Sequence, residues 1–202
     1  MEKVHTHIRN AITRMKKGEL IFPSDFYGSG TDMAIKKALS RLCEEGLIKR
    51  LAHGVYYVPQ VDPDLGELRP GADDVVKMLA EKEKIKVRPA GAYALHKLGL
   101  TTQVPTRRVY ITDGHPRQFT FGRLQIKFKS TSHKRLEQKG KISSLAIQAI
   151  EELGVGKIDE ATKEKLRSLL LQEDYPTLLH DLKLTTVKVN NFIVKLLKKD
   201  KK

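Results

Sequence analysis

Residues 40–59 read SRLCEEGLIKRLAHGVYYVP. A charged amphipathic run stops at Gly46, a short apolar-basic stretch follows, and His53-Gly54 turns the chain into a second apolar stretch. The run begins upstream. Ile35, Ala38, Leu39, Leu42 and Cys43 fall at i, i+3, i+4, i+7 and i+8, which is one apolar stripe on a helix. Thr31 suits the N-cap, Asp32 the positive first turn, and Gly46 the left-handed position after the last turn. The segments LIKRL and GVYYVP have strand length and composition, and Ala52-His53-Gly54 joins them as a tight turn.

Working outward, Val4, Ile8, Ile12 and Met15 share helical spacing, and Gly18 stops that helix. Phe22 and Phe26 are core anchors around Pro23, where a short helix can begin. The order helix, short helix, basic helix, glycine, two-stranded wing is that of a winged helix-turn-helix. Its third helix enters the major groove of DNA and its wing touches the backbone or minor groove. Lys36, Lys37 and Arg41 can neutralise phosphates or bond guanine edges, and Ser29, Thr31 and Ser40 can bond phosphates or base edges. Lys49, Arg50 and His53 fall on the wing. Residues 28–31, GSGT, precede a helix but lack the lysine spacing of a phosphate-binding loop. His5 and His7 alternate rather than sitting four apart, so they read as surface residues and not as a metal pair.

A chain of 202 residues holds one large domain or two small ones, and 40% apolar with 31% charged residues places it among folded globular chains. No apolar run approaches the roughly 20 residues of a membrane span, and the N-terminus has no hydrophobic signal segment. The single cysteine, Cys43, excludes an intramolecular disulfide and a multi-cysteine zinc site, so a cytoplasmic location is expected. The net charge of +14 points to a polyanionic partner, nucleic acid or an acidic protein.

Residues 1–60 are expected to form the DNA-binding domain, and the polar, Pro- and Gly-rich residues 61–72 a linker. Residues 73–202 are expected to form a mixed domain with a small antiparallel sheet, helical from about 141 onward, so the fold class is α+β. In RLQIKFKS, Leu124, Ile126 and Phe128 alternate with Arg123, Gln125, Lys127 and Lys129, giving one buried and one basic face. Gly122 makes a hairpin of the last two strands. Residues 101–140 hold nine Lys and Arg against two Asp and Glu, a surplus of seven; residues 1–60 hold ten against six, a surplus of four. Arg107, Arg108, Arg117, Arg123, Lys127 and Lys129 are therefore a candidate basic patch for a partner or for nucleic acid. Further on, Leu145, Ala149, Ile150 and Leu153 make one stripe, Asp159 caps a helix, and Val189, Phe192, Ile193, Leu196 and Leu197 line the last helix before a lysine-rich tail.

The stretch GLIKRLAHGVYYVP (46–59) resembles the wing of the AbiEi-type antitoxins of type IV toxin–antitoxin systems, and RPAGAYALHKLGLTTQVPTRRVYITDG (88–114) resembles that family's central segment. The resemblance covers about residues 1–130 and only loosely the helical tail. It implies an N-terminal domain that binds operator DNA and represses its own operon. It also implies a C-terminal domain that counteracts a nucleotidyltransferase-like toxin without a stable complex. By position it places DNA contacts on Ser29, Thr31, Lys36, Lys37, Ser40 and Arg41. Two other readings stand beside it. One is a transcriptional regulator without a toxin, its second domain dimerising or sensing a ligand; the other is an enzyme brought to DNA. The residues argue against the enzyme, with no nucleophile elbow, no metal-ligand cluster, and His96, His115 and His133 without acidic neighbours in sequence. No cofactor or metal is called for, no membrane is implied, and the oligomeric state is left open.

Overall fold

A computed structural model describes residues 2–198 and confirms the α+β class. The lysine tail beyond Lys198 lies outside the described residues. The chain divides into two compact units: Met1–Lys82 with Phe119–Arg123, and Glu83–Gln118 with Leu124–Lys202.

In the first unit, helix α1 (Glu2–Thr13) packs on helix α2 (Asp32–Glu44), with a 3₁₀ turn at Pro23–Phe26 between them. The apolar stripes meet as expected: Ile8, Ile12, Ile35, Leu39 and Leu42 are each at most 1% exposed. Thr31 Oγ1 accepts the N–H of Ala34 at 3.3 Å and caps α2. Strands β1 (Leu20–Ile21), β2 (Lys49–Ala52) and β3 (Val55–Tyr57) form an antiparallel sheet in the order β1-β3-β2. Gly46 has φ +75° with nothing within 4 Å of the position a Cβ would take. Gly46→Val therefore meets backbone strain and no clash, and is expected to lower stability by about 1–2 kcal/mol. Urea melts of the two proteins check this, and equal midpoints would refute the left-handed stop.

The expected linker at 61–72 is instead structured. Strands β4 (Gln60–Asp62) and β5 (Gly66–Leu68) pair as a hairpin. Asp62 Oδ1 accepts the N–H groups of Asp64 and Leu65, each at 2.9 Å, so the polar composition is turn chemistry. Helix α3 (Ala72–Glu83) also belongs to this unit up to Lys82, whose ammonium pairs with Asp25 and lies 4.1 Å from the Phe22 ring centroid.

Strands β6 (Val87–Ala90), β7 (Arg107–Thr112), β8 (Arg117–Phe121) and β9 (Leu124–Ser130) form a sheet in the order β6-β7-β9-β8, and all but Phe119–Phe121 of β8 fall in the second unit. Contrary to the expected antiparallel sheet, β7 and β9 run parallel. Strand β9 has the strongly apolar face, with Ile126 and Phe128 at most 1% exposed, so it takes the inner place and leaves the more exposed β8 at the edge. The helices are α4 (Ala92–Lys97), α5 (His133–Leu136), α6 (Lys141–Leu153), α7 (Glu160–Leu170), α8 (Tyr175–Lys183) and α9 (Val187–Leu197). A single stripe was expected for α6, yet Ser143, Ser144, Ala146, Ile147, Gln148, Ala149 and Ile150 are all buried. Strand β6 and helices α4, α7, α8 and α9 all pack against it, so α6 is the axis of this unit.

Candidate functional site

The first candidate surface is the outward face of α2. The same turn of helix that buries Ile35, Ala38, Leu39 and Leu42 sends Lys36, Lys37, Ser40 and Arg41 to solvent. These residues are exposed together, as their spacing requires, but they are not equally free. Lys36 Nζ donates to Asp32 at 2.6 Å, one turn earlier, and that hydrogen bond raises its pKa above the ordinary lysine value. The side chains of Lys37, Ser40 and Arg41 have no hydrogen-bond or ion-pair partner among the described residues. Thr31 is engaged by its own helix, and Ser29 is half-buried.

On the β2–β3 hairpin the expected trio also differs in availability. Lys49 pairs with Glu67 of β5, which also accepts the Tyr57 hydroxyl. Lys49 first, then Tyr57, holds the Glu67 carboxyl below its usual range, whereas burial and then the Glu67 contact push Tyr57 up to about 12. Lys49 is thus neutralised by a hairpin that the sequence presented as a linker. Arg50 Nε donates to the Ala52 carbonyl at 3.4 Å, and its Nη2 lies 3.1 Å from His53 Nδ1, which keeps both side chains at the turn.

Two exposed side chains join this surface without having been singled out. Met33 is 80% exposed and lies one helical turn before Lys37, and Tyr27 is 70% exposed just before α2. Met33 lies off the apolar stripe, which is the signal that could have found it.

The second candidate was a continuous basic patch on strands. Strand alternation splits it. In the β7–β9 register Val109 pairs with Lys127 and Ile111 with Lys129, so both lysines share a face with Arg107, and Arg108 goes to the opposite face with Tyr110 and Phe128. Arg108 lies 4.8 Å from the Tyr93 ring centroid. Arg117 is 5.3 Å from the Phe128 ring centroid and pairs with Glu83 at 2.6 Å. Arg123 is exposed in the turn after Gly122, outside β9, so it is not part of the strand face.

Arg107, Lys127 and Lys129 instead line a cavity of about 580 Å³, together with Arg135 from α5 and Gln148, Glu151 and Glu152 from α6. Arg135 pairs with Glu151. Gln148 is 4% exposed and its Nε2 has no hydrogen-bond partner among the described residues. None of these helix residues was legible as a site, because α6 read as ordinary core. His133, read as having no obvious acidic neighbour in sequence, lies 3.1 Å from Glu137 and 3.8 Å from Asp113, and is 70% exposed at its side chain.

Among the described residues, no group of three or more His, Cys, Asp and Glu could hold a metal ion. No described helix is long and apolar enough to cross a membrane. No curated protein matches the chain. Among solved structures, the RV2827C protein from Mycobacterium tuberculosis matches 96% of this chain and 80% of its own, at 11% identity and a TM-score of 0.40, too low to argue from. The sequence profile of the family of unknown function DUF6088 matches residues 7–178, and the chain belongs to that family.

Proposed function

We propose that the first unit is a winged helix-turn-helix that binds double-stranded DNA, with α2 in the major groove and the β2–β3 hairpin as the wing. The observation that carries this reading is the outward face of α2, where Lys37, Ser40 and Arg41 stand unpaired opposite a fully buried stripe. Guanidinium and ammonium groups on such a face bond guanine edges or phosphates, and Met33 offers an apolar contact for a thymine methyl group. We further propose that the protein is an antitoxin of the AbiEi type that represses its own operon, its second unit counteracting a nucleotidyltransferase-like toxin. The resemblance over residues 46–59 and 88–114 supports that part.

The test is an anisotropy titration of the full chain against DNA from upstream of its own gene, at several salt concentrations. Lys37→Ala and Arg41→Ala are each expected to cost about 1–3 kcal/mol if the residue reads a base. If it binds a phosphate, each variant is expected to reduce the salt slope by about 0.9. Unchanged affinity and slope in both variants would remove α2 from the interface. Growth of cells co-expressing the protein and a downstream nucleotidyltransferase reads the antitoxin part separately.

A further inference from the structure

We propose that the cavity between the β7–β9 face and helix α6 binds a small phosphomonoester carrying free hydroxyl groups, of the size of a pentose phosphate or a mononucleotide. The inference concerns the second unit alone and stands independently of DNA binding by the first.

Three observations carry it. The first is charge. Arg107, Lys127, Lys129 and Arg135 contribute four positive charges, and Glu151 and Glu152 two negative ones, which leaves +2 in the cavity. Arg135 and Glu151 pair with each other, and Arg107, Lys127 and Lys129 have no ion-pair partner among the described residues. A phosphomonoester carries about −1.5 to −2 at pH 7 and three acceptor oxygens, which matches that balance. The second is Gln148. Its buried amide nitrogen donates to nothing among the described residues, and a buried donor left unmet is costly, so an acceptor supplied by a ligand would relieve it. The third is shape. About 580 Å³ lies in the range of small-molecule sites, and both lysines line that space.

The same lining argues against a nucleic-acid strand. Glu151 and Glu152 sit beside the cations and repel a continuous polyanion, but they accept hydrogen bonds from sugar hydroxyls. Among the described residues no aromatic side chain lines the cavity, so these residues offer no stacking platform for successive bases. That absence favours the sugar phosphate over the nucleotide as the better ligand.

The experiment is calorimetry and thermal shift on the full chain with ribose 5-phosphate, adenosine monophosphate, inorganic phosphate, ribose and a short single-stranded oligonucleotide. Ribose 5-phosphate is expected to bind and raise the melting temperature, inorganic phosphate to bind more weakly, and ribose not at all. The nucleotide arm separates the two sources of the same chemistry. Lys127→Gln/Lys129→Gln is expected to keep the melting temperature of the free protein and to weaken ribose 5-phosphate at least about tenfold. Gln148→Leu should also weaken it. No binding of either phosphomonoester at millimolar concentration would overturn the proposal, as would equal affinity in the lysine double variant. An oligonucleotide that binds more tightly than both, and loses affinity in that variant, would assign the site to a nucleic-acid strand instead.

Discussion

Asp181→Ala is expected to destabilise the second unit by about 3–5 kcal/mol. Asp181 is fully buried on α8, yet it serves the N-terminus of α6. Its Oδ1 accepts the N–H of Lys139 at 2.7 Å, and its Oδ2 accepts the N–H of Gly140 at 2.9 Å and the hydroxyl of Ser143 at 2.5 Å. A second carboxylate, Glu173, accepts the N–H groups of Ile142 and Ser143 at 2.8 and 3.0 Å. At the start of α6 the amides of Gly140, Ile142 and Ser143 are thus met by acids, which also suit the positive end of the helix dipole. Gly140 completes the arrangement: a Cβ there would collide with Ser143 Oγ and Glu173, so the close approach of these two side chains needs glycine.

Burial alone would raise the pKa of Asp181. The Ser143 hydroxyl, the Lys139 amide, His180 and the Gly140 amide outweigh it and hold the carboxyl below its usual value of 3.8. The sign follows. The unfolded chain takes up this proton first as the pH falls, so the contribution is fully present above pH 3.8 and is lost as the pH falls through the lower native value. The stability gap between wild type and Asp181→Asn should therefore be largest near neutrality and narrow in acid. Guanidinium melts between neutral pH and pH 3 measure it, and a gap that widens toward acid would refute the ionised cap.

None of this was legible in the sequence, and the reason is physical. Cap residues adjacent in sequence, such as Thr31 before α2 and Asp159 before α7, announce themselves by spacing, and both accept the expected amide. Asp181 caps a helix that begins 40 residues earlier, so only the packed structure brings donor and acceptor together. Helices α1 and α2 were readable because each buries one stripe, and period 3.6 marks such a stripe. The segment 61–72 misled because Pro, Gly and Asp serve linkers and tight hairpins alike, and the pairing of Glu67 with Lys49 and Tyr57 that decides between them is tertiary. The cavity was half legible. The alternation of β9 placed Lys127 and Lys129 on one face, but nothing local told that Arg108 would face the other way or that Gln148 would be buried above them.

Phe128→Ala is expected to cost about 3–5 kcal/mol, and its neighbour Lys127→Gln almost nothing or a slight gain. Phe128 is 1% exposed, with its ring 5.9 Å from Tyr110, which in turn meets Tyr93 edge-on at 5.5 Å. Truncation leaves a void among these rings and loses the face that Arg117 covers. Phe128→Leu fills part of that void and should cost less. Lys127 occupies the opposite face, lining a cavity that it shares with Lys129 and Arg107. In the absence of an anion these like charges repel one another, so removing one relieves the native state. Chemical denaturation of the three variants reads all of this in one series. Equal losses for Phe128→Ala and Lys127→Gln would mean that the two faces of β9 do not divide into a packed side and a charged side. A stabilising Lys127→Gln would show that the cations on this strand are held together against stability, which is the signature of a site built for a ligand rather than for the fold.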